Sequence, residues 1–343
     1  MNANSMGGTM AFAVGLNANA ARVTERQSRR ARVAPTVVMK AAPKRHDVRL
    51  PANVPGDFFV DSTCINCDTC RWWAPKTFDH ADGQSYVHRQ PETAEERKLA
   101  FQALLACPTA PIHGARAPDE LQAARRGIPM PTDVTGVFHN GYADEASFGA
   151  CSYSLQYDGN VIMVDSPRFS PGLAANIESL VRPGGQVKYL FLSHRDDVGQ
   201  HARWAKHFGL RRIIHETEIR ARQGTDECEV VLRGEGPWSL EDGRFTIHWV
   251  PGHTEGCVSL YDPLRKVLFT GDHLAWSRRE QTLAGFRHVC QMDWSRQMHS
   301  MEVVRALDVE WILPGHGRKF RFASEADKHR ELDKLLVRME QQK

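Results

Sequence analysis

The sequence predicts an α/β protein in which two sheets are covered by helices, with a small cysteine-bearing module in front. Three observations lead there. From about residue 136 onward, short apolar runs alternate with helical stretches. Histidines and aspartates recur just past the ends of those runs, three of them directly after a glycine (His253, Asp272 and His316). A C-x2-C-x2-C triplet at Cys64, Cys67 and Cys70 stands apart, nearer the front. With 343 residues, 41% of them hydrophobic, the chain is long and apolar enough for two domains with cores of their own.

In chain order, residues 1–45 come first, with eight Lys/Arg against one acid, Glu25. Rich in Ala, Arg, Asn and Ser and lacking a long apolar core, they predict a disordered organelle transit peptide; a solvated basic tail is the blander alternative. Val37-Val38-Met39-Lys40-Ala41 resembles the end of a chloroplast transit peptide, so the chloroplast is the expected location and the mitochondrion the second choice. Without this leader the chain has 36 basic and 40 acidic residues, so its body is mildly acidic and no nucleic-acid partner is expected. No apolar run approaches the roughly 18 residues of a membrane span, so no membrane association is expected either.

Residues 50–114 form the expected cysteine module. Three cysteines on a tight loop reach three corners of a cubane cluster, while backbone amides along the loop donate hydrogen bonds to sulfur. Residues 91–106, PETAEERKLAFQALLA, predict an amphipathic helix with acids near its start, delivering Cys107 as the fourth ligand just before Pro108. A four-thiolate zinc site is the alternative, although zinc commonly uses two C-x2-C pairs. The segment from Cys64 to Pro75 resembles bacterial-type ferredoxins, whose run is C-x2-C-x2-C-x3-C-P. Ala74 occupies the place of that run's last cysteine. The resemblance therefore implies a small α+β ferredoxin-like domain with one 4Fe-4S cluster on Cys64, Cys67, Cys70 and Cys107. Trp72 and Trp73 would shield that cluster, dock an electron donor or acceptor protein, or pack in the core.

Residues 115–135, rich in Ala, Arg and Pro, predict a linker. A hairpin follows, Ser152–Tyr157 and Asn160–Asp165, turning at Asp158-Gly159. Lys188–Ser193 (KYLFLS) is a buried strand, Ala202–Phe208 a helix, and Arg211–His215, Phe245–Val250, Cys257–Tyr261 and Val267–Thr270 further strands. Residues 323–343 predict a charged, solvated C-terminal helix.

Polar candidates lie beyond these strand ends: His194, Asp196 and Asp197 after KYLFLS, His253 in PGHTEG, Asp272 in TGD and His316 in PGHG. Glycine beside His253, Asp272 and His316 lets the chain turn sharply there, so side chains from several strands can converge. PGHTEG, TGD and PGHG in this order resemble the metallo-β-lactamase superfamily, over residues 136–322. The resemblance implies a four-layer αβ/βα sandwich with a metal site at one edge, His253 and His316 as ligands and Asp272 bridging two metals.

The superfamily's first ligand motif, H-x-H-x-D-H, is altered here to His194-Arg195-Asp196-Asp197-Val198-Gly199. Asp196 replaces the second His, a substitution similar to the Glu that flavodiiron proteins carry there. His201 would replace the last His and Asp197 the lost Asp; a single metal on His194, His253, Asp272 and His316 is the other possibility. The 18 residues between His253 and Asp272 also match the flavodiiron spacing. His273 is a reserve ligand or orients one. One or two divalent metals, zinc or iron, are expected, with carboxylates shifting the preference slightly toward iron or manganese.

Three functions fit. A hydrolase would use metal-activated hydroxide on an ester or thioester small molecule, with Asp197 or Asp196 moving the proton and Arg195 either orienting an anionic substrate or solvated at the surface. An iron oxidoreductase would receive electrons internally from the cluster. A non-catalytic scaffold would keep the cluster and a degenerate metal site.

Overall fold

The structure, a computed structural model, describes residues 48–343. The expected transit peptide lies outside the described residues. Among the described residues, no helix is long and apolar enough to cross a membrane.

The front module contains β1 (Phe59–Val60), α1 (Thr69–Trp73), β2 (Phe78–Ala81), β3 (Gln84–Val87), α2 (Ala94–Ala106) and β4 (Ile112–His113). β1 pairs antiparallel with β4, and β2 with β3. Helix α2 starts three residues later than the composition of 91–106 suggests, because Thr93 caps it. The Thr93 hydroxyl accepts from the Glu96 N–H (3.2 Å), and the Glu96 carboxylate accepts from the Glu92 N–H (3.0 Å). Pro108 cannot follow Cys107 in a helix, so the chain leaves α2 extended at that cysteine.

The stretch expected to be a linker is ordered. Pro118–Arg126 forms α3, and Met130–Pro131 forms β5 at the edge of the first large sheet. Pro sits at the helix start, Asp119 and Glu120 lie in the first turn, and Arg125 and Arg126 in the last. The same Ala, Arg and Pro that read as linker thus satisfy the helix termini and dipole. Gln102 donates to the carbonyls of Ala124 and Gly127, and Asn176 to those of Arg125 and Ile128, so the segment is held from both sides.

The first large sheet continues with β6 (Val137–His139), β7 (Tyr153–Tyr157), β8 (Asn160–Val164), β9 (Val187–Phe191), β10 (Arg211–His215) and β11 (Val230–Leu232), with α4 (Pro171–Glu178) and α5 (His201–Phe208) in the crossovers. Its order is β11-β10-β9-β8-β7-β6-β5, parallel through β8 and antiparallel beyond. Asp158 and Gly159 both have positive φ, the hairpin turn their sequence predicts.

The second large sheet comprises β12 (Trp238–Leu240), β13 (Phe245–Trp249), β14 (Val258–Asp262) and β15 (Val267–Gly271). A small hairpin, β16 (Ala275–Ser277) and β17 (Thr282–Ala284), and α6 (Trp294–Ala306) precede its last strands, β18 (Trp311–Pro314) and β19 (Phe320–Arg321). Helix α7 (Glu325–Gln341) closes the chain.

Alternation along the strands builds three cores. Ile162, Phe191 and Ile213 meet Phe245, Leu260 and Phe269 between the two sheets. Leu268 and Ile312 face Met301 of α6 and Leu332 and Leu335 of α7, so one stripe of α7 is buried rather than solvated. Met163, Leu190 and Ile214 face Leu173, Ile177 and Trp204 on the outer side of the first sheet. Helices, sheet, sheet and helices give four layers. Both faces of β9 are covered, which is why KYLFLS is a continuous apolar run.

Candidate functional site

The four cysteines of the front module gather at one place. Cys70 and Cys107 are buried, Cys64 and Cys67 partly exposed. Burial, and then repulsion from the Cys67 and Cys64 thiols, pushes Cys70 up to about 12. Burial followed by Cys67 and Cys70 pushes Cys107 up as well. Asn66 and Asp68 adopt left-handed backbone, which curls the loop around its thiols. The Asn66 N–H donates to Cys64 Sγ (3.4 Å), the Thr69 hydroxyl lies 3.2 Å from Cys67 Sγ, and the N–H groups of Thr109 and Ala110 donate to Cys107. Four crowded thiols that repel one another as anions, ringed by donors that favour thiolates, fit a cationic iron–sulfur core. Of the two tryptophans, Trp73 is buried in the core and Trp72 stacks on His139 at 4.4 Å.

The second site forms where β9, β13, β15 and β18 end. His194, Asp196, His253, Asp272 and His316 converge there, as the sequence predicts, with Asp197 behind them. Asp196 Oδ2 is 3.4 Å from His253 Nε2 and 3.8 Å from His194 Nε2. Asp272 Oδ2 is 3.8 Å from each of the same two nitrogens. Ligands about 2.0–2.2 Å from a tetrahedral cation lie roughly 3.3–3.6 Å from one another, so His194, Asp196 and His253 are spaced to share one. On the other side of Asp272, His316 Nδ1 approaches its Oδ1 at 2.8 Å. The buried Asp197 carboxylate lies near, within metal-binding reach of His194 and Asp272. Neither Asp197 oxygen, nor Nε2 of His194, His253 or His316, has a hydrogen-bond partner. Buried polar atoms left unpaired in one cluster are costly unless something else binds them, and a metal fits the set.

Charges around the site follow from this crowding. Burial and then the Asp272 charge push the Asp197 carboxyl well above the carboxylate range. Burial works against ionisation of Asp272 too, but His316, His194 and His253 outweigh it and lower the carboxyl. Burial likewise disfavours the charged His316 ring, yet Asp272 raises it to about 10. The Ser193 hydroxyl lies 3.0 Å from His194 Nδ1, which leaves Nε2 directed at the site.

One predicted ligand is not brought to the site. His201 lies buried in the first turn of α5, with Nε2 on the Gln223 carbonyl (2.8 Å) and Nδ1 beside the Arg212 guanidinium (3.2 Å). Both ring nitrogens are engaged away from Asp272, so His201 does not replace the missing histidine. His273 is buried behind His253 and kept neutral, burial lowering it to about 3. Arg195 is not a free surface arginine, since Glu255 (2.5 Å) and Gln291 (3.1 Å) hold its guanidinium.

Other contributors carry no sequence signal. Glu218, fully buried, accepts from the N–H groups of Arg195 (2.8 Å) and Gly256 (2.7 Å), tying together the two loops that present His194 and His253. Gln291 bridges Arg195 and Asp196. Gly315 has no side chain because a Cβ there would lie 2.7 Å from Asp197 Oδ2 and 2.9 Å from Asp272 Oδ1.

The two sites open into one cavity of about 840 Å³, whose lining includes Cys67 and Asp68 as well as Asp196, His253, Asp272 and His316. Asp68, next to Cys67, pairs with both Arg71 and Arg318, the latter two residues beyond His316. Phe148 overhangs the cavity with its ring 6.4 Å from His316, and the adjacent Gly149 accepts from the Thr69 hydroxyl (3.1 Å).

Comparison with known proteins agrees with this division. Residues 60–114 match the 4Fe-4S single cluster domain of Ferredoxin I, and residues 148–316 match the metallo-beta-lactamase superfamily. Among solved structures, the chain is similar to the DIM-1 metallo-beta-lactamase (18% identity, 58% of this chain and 94% of that one, TM-score 0.45). It is also similar to the BLEG-1 B3 metallo-beta-lactamase (20%, 56% and 96%, TM-score 0.44). A third similar structure is an archaeal metallo-beta-lactamase superfamily protein from Sulfolobus tokodaii (15%, 58% and 85%, TM-score 0.40). The chain thus carries, over residues 148–316, a region that matches the metallo-beta-lactamase superfamily, and in front of it, over residues 60–114, one that matches the 4Fe-4S single cluster domain of Ferredoxin I.

Proposed function

We propose that this protein is a metal-dependent hydrolase of an ester or thioester. The observation that carries the reading is a cluster of donor atoms beside the cavity, in which Asp196 Oδ2 and Asp272 Oδ2 each lie 3.4–3.8 Å from His194 Nε2 and His253 Nε2. These residues would hold a zinc or iron ion, with Asp272, Asp197 and His316 supplying a second position. Bound there, the metal supplies a water whose pKa falls toward ~7 and a Lewis acid for the carbonyl oxygen. The chain's own residues do the rest. Ser193 fixes His194, Gln291 and Arg195 fix Asp196, and Glu218 holds the two ligand loops in register. With the second position unfilled, the Asp197 carboxylate, free of protein hydrogen-bond partners, is the group left to hold a proton and return it to the leaving group.

The test is hydrolysis of chromogenic ester and thioester substrates by the metal-loaded protein, with metal content measured alongside. His253→Ala and Asp272→Asn are expected to lose both the metal and the activity. Activity that survives in metal-free protein would sink the reading.

A second reading, internal electron transfer to an iron site, is favoured by one observation: Cys67 of the cluster loop and the metal donors line the same cavity. In that case Cys107→Ala abolishes turnover, and an electron donor protein in the organelle would be the partner. A hydrolase with its metal in place works whether the cluster is oxidised or reduced.

A further inference from the structure

The cavity walls away from the metal donors carry a charge that the rest of the body does not. Setting aside Asp196, Asp197 and Asp272, which a metal would neutralise, four guanidinium groups (Arg71, Arg278, Arg279, Arg318) face two carboxylates (Asp68, Asp79), an excess of two positive charges. This stands in a chain body that is mildly acidic. A concave wall of one sign attracts the opposite charge.

The donors differ in what they have left to give. Arg71 is buried and satisfied by Asp68, Asn66 and Ser85, so it contributes charge alone. Arg318 pairs with Asp68, while its buried Nη2 has no hydrogen-bond partner. Arg278 and Arg279 stand exposed at the tip of the β16–β17 hairpin, and Arg278 has only a long contact, 3.4 Å, to Asp79 of β2. The lining shared by the arginines and the metal donors also carries apolar side chains, Phe148, which is 53% exposed, with Trp276, Phe286 and Val289, beside His80, His288 and Gln291. A cavity that combines aromatic surface, metal donors and an arginine rim suits an amphipathic molecule that carries a charge as well as a reacting group.

We propose that the substrate is an anionic ester or thioester whose carboxylate, phosphate or sulfate is held by Arg278 and Arg279, with its apolar part over Phe148, Trp276 and Phe286. As a statement about a substrate, this rests on the hydrolase reading. Asp79 and Asp68, both from the front module, steady Arg278 and Arg318, so the cluster domain builds part of the anion-binding wall.

The test is calorimetric binding of 4-phenylbutane-1-sulfonate, an anion that ligates metals poorly, against the neutral 4-phenylbutan-1-ol, using the chain loaded with its metals. The sulfonate is expected to bind roughly tenfold more tightly, as one charge-assisted contact provides. The R278Q/R279Q variant should bring the two within about twofold, whereas R126Q/R222Q, which removes two exposed charges outside the cavity, should keep the preference. Equal binding of sulfonate and alcohol, or a preference that survives R278Q/R279Q, overturns the proposal. In parallel, mono(4-nitrophenyl) glutarate should show a lower KM than 4-nitrophenyl butyrate. Sulfonate preference without hydrolysis of either ester removes the hydrolase reading and leaves the anion site; hydrolysis of both with equal KM does the reverse.

Discussion

A single methyl group tests the cluster loop. Gly149 has φ of +85°, and a Cβ built on it would lie 2.7 Å from Cys67 Cβ and 3.0 Å from its Sγ. A side chain there is strained by its backbone and displaces a ligand. Gly149→Ala is therefore expected to yield protein with sharply reduced iron and acid-labile sulfide, while the metal bound at His253 remains; a full cluster in that variant would refute the contact. The metal donors predict a proton balance of their own. Burial and Asp272 raise Asp197, and Asp272 raises His316 to about 10 against the effect of burial, so at neutral pH the His316 ring carries a proton that a cation must displace. Metal uptake at pH 7 should release protons and weaken as pH falls, which calorimetry in buffers of different ionisation enthalpy measures directly. His253, Asp272 and His316 were legible because each sits in a glycine turn after an apolar strand. His201 was misplaced because a position one helical turn along says nothing about which way the helix faces. Its imidazole belongs to Gln223 and Arg212. His201→Ala should keep the full metal content and cost about 1–3 kcal/mol of stability through the partners left unpaired, as denaturant unfolding would report.

At the scale of the element, α2 decides where Cys107 stands, and its first turn decides where α2 begins. The Glu96 carboxylate accepts from the Glu92 N–H and pairs with Arg89, which together hold it down at about 2. A carboxylate lowered on folding stabilises the native state above its unfolded value, near 4.5, and that contribution is lost as pH falls through about 2. Glu96→Gln should lower the melting temperature at pH 7, and the gap to the parent should narrow as pH is taken below about 4.5. A gap unchanged by pH would mean the glutamate acts by packing. The cap also explains a boundary that composition placed three residues early, since Thr93 looks like any polar residue until its hydroxyl is seen on the Glu96 N–H. The segment 115–135 failed as a linker for a related reason. Its helix is short and mostly exposed, and its anchors, Gln102 and Asn176, are remote in sequence.

Across the whole molecule, two family signatures could be located from motifs, but not how they are joined, because the joint is made of ordinary residues. Phe58, Trp73, Phe101 and Ile112 of the front module share one continuous core with Met163, Leu190 and Ile214 of the first sheet. Trp72 stacks on His139 of β6 and Trp73 packs against it at a tilt, Ala143 N–H donates to the Ala106 carbonyl (2.9 Å), Arg168 donates to the Leu105 carbonyl (3.1 Å), and Asp68 pairs with Arg318. Each large apolar side chain buried in such a core contributes about 1.5–3 kcal/mol, and a domain's whole margin is about 5–15 kcal/mol. Removing residues 1–114 would expose part of the sheet's outer face, strip His139 of Trp72 and Trp73 and leave Arg318 without Asp68. The remaining 115–343 is expected to be insoluble or to lack a cooperative thermal transition, and the intact chain to unfold in one calorimetric step. Two separable transitions, or a folded metal-binding 115–343, would mean that the modules are merely tethered. A single step would mean instead that the wall between cluster and metal is part of the fold itself, so that any change in how the cluster loop packs must be felt at His316 two residues from Arg318.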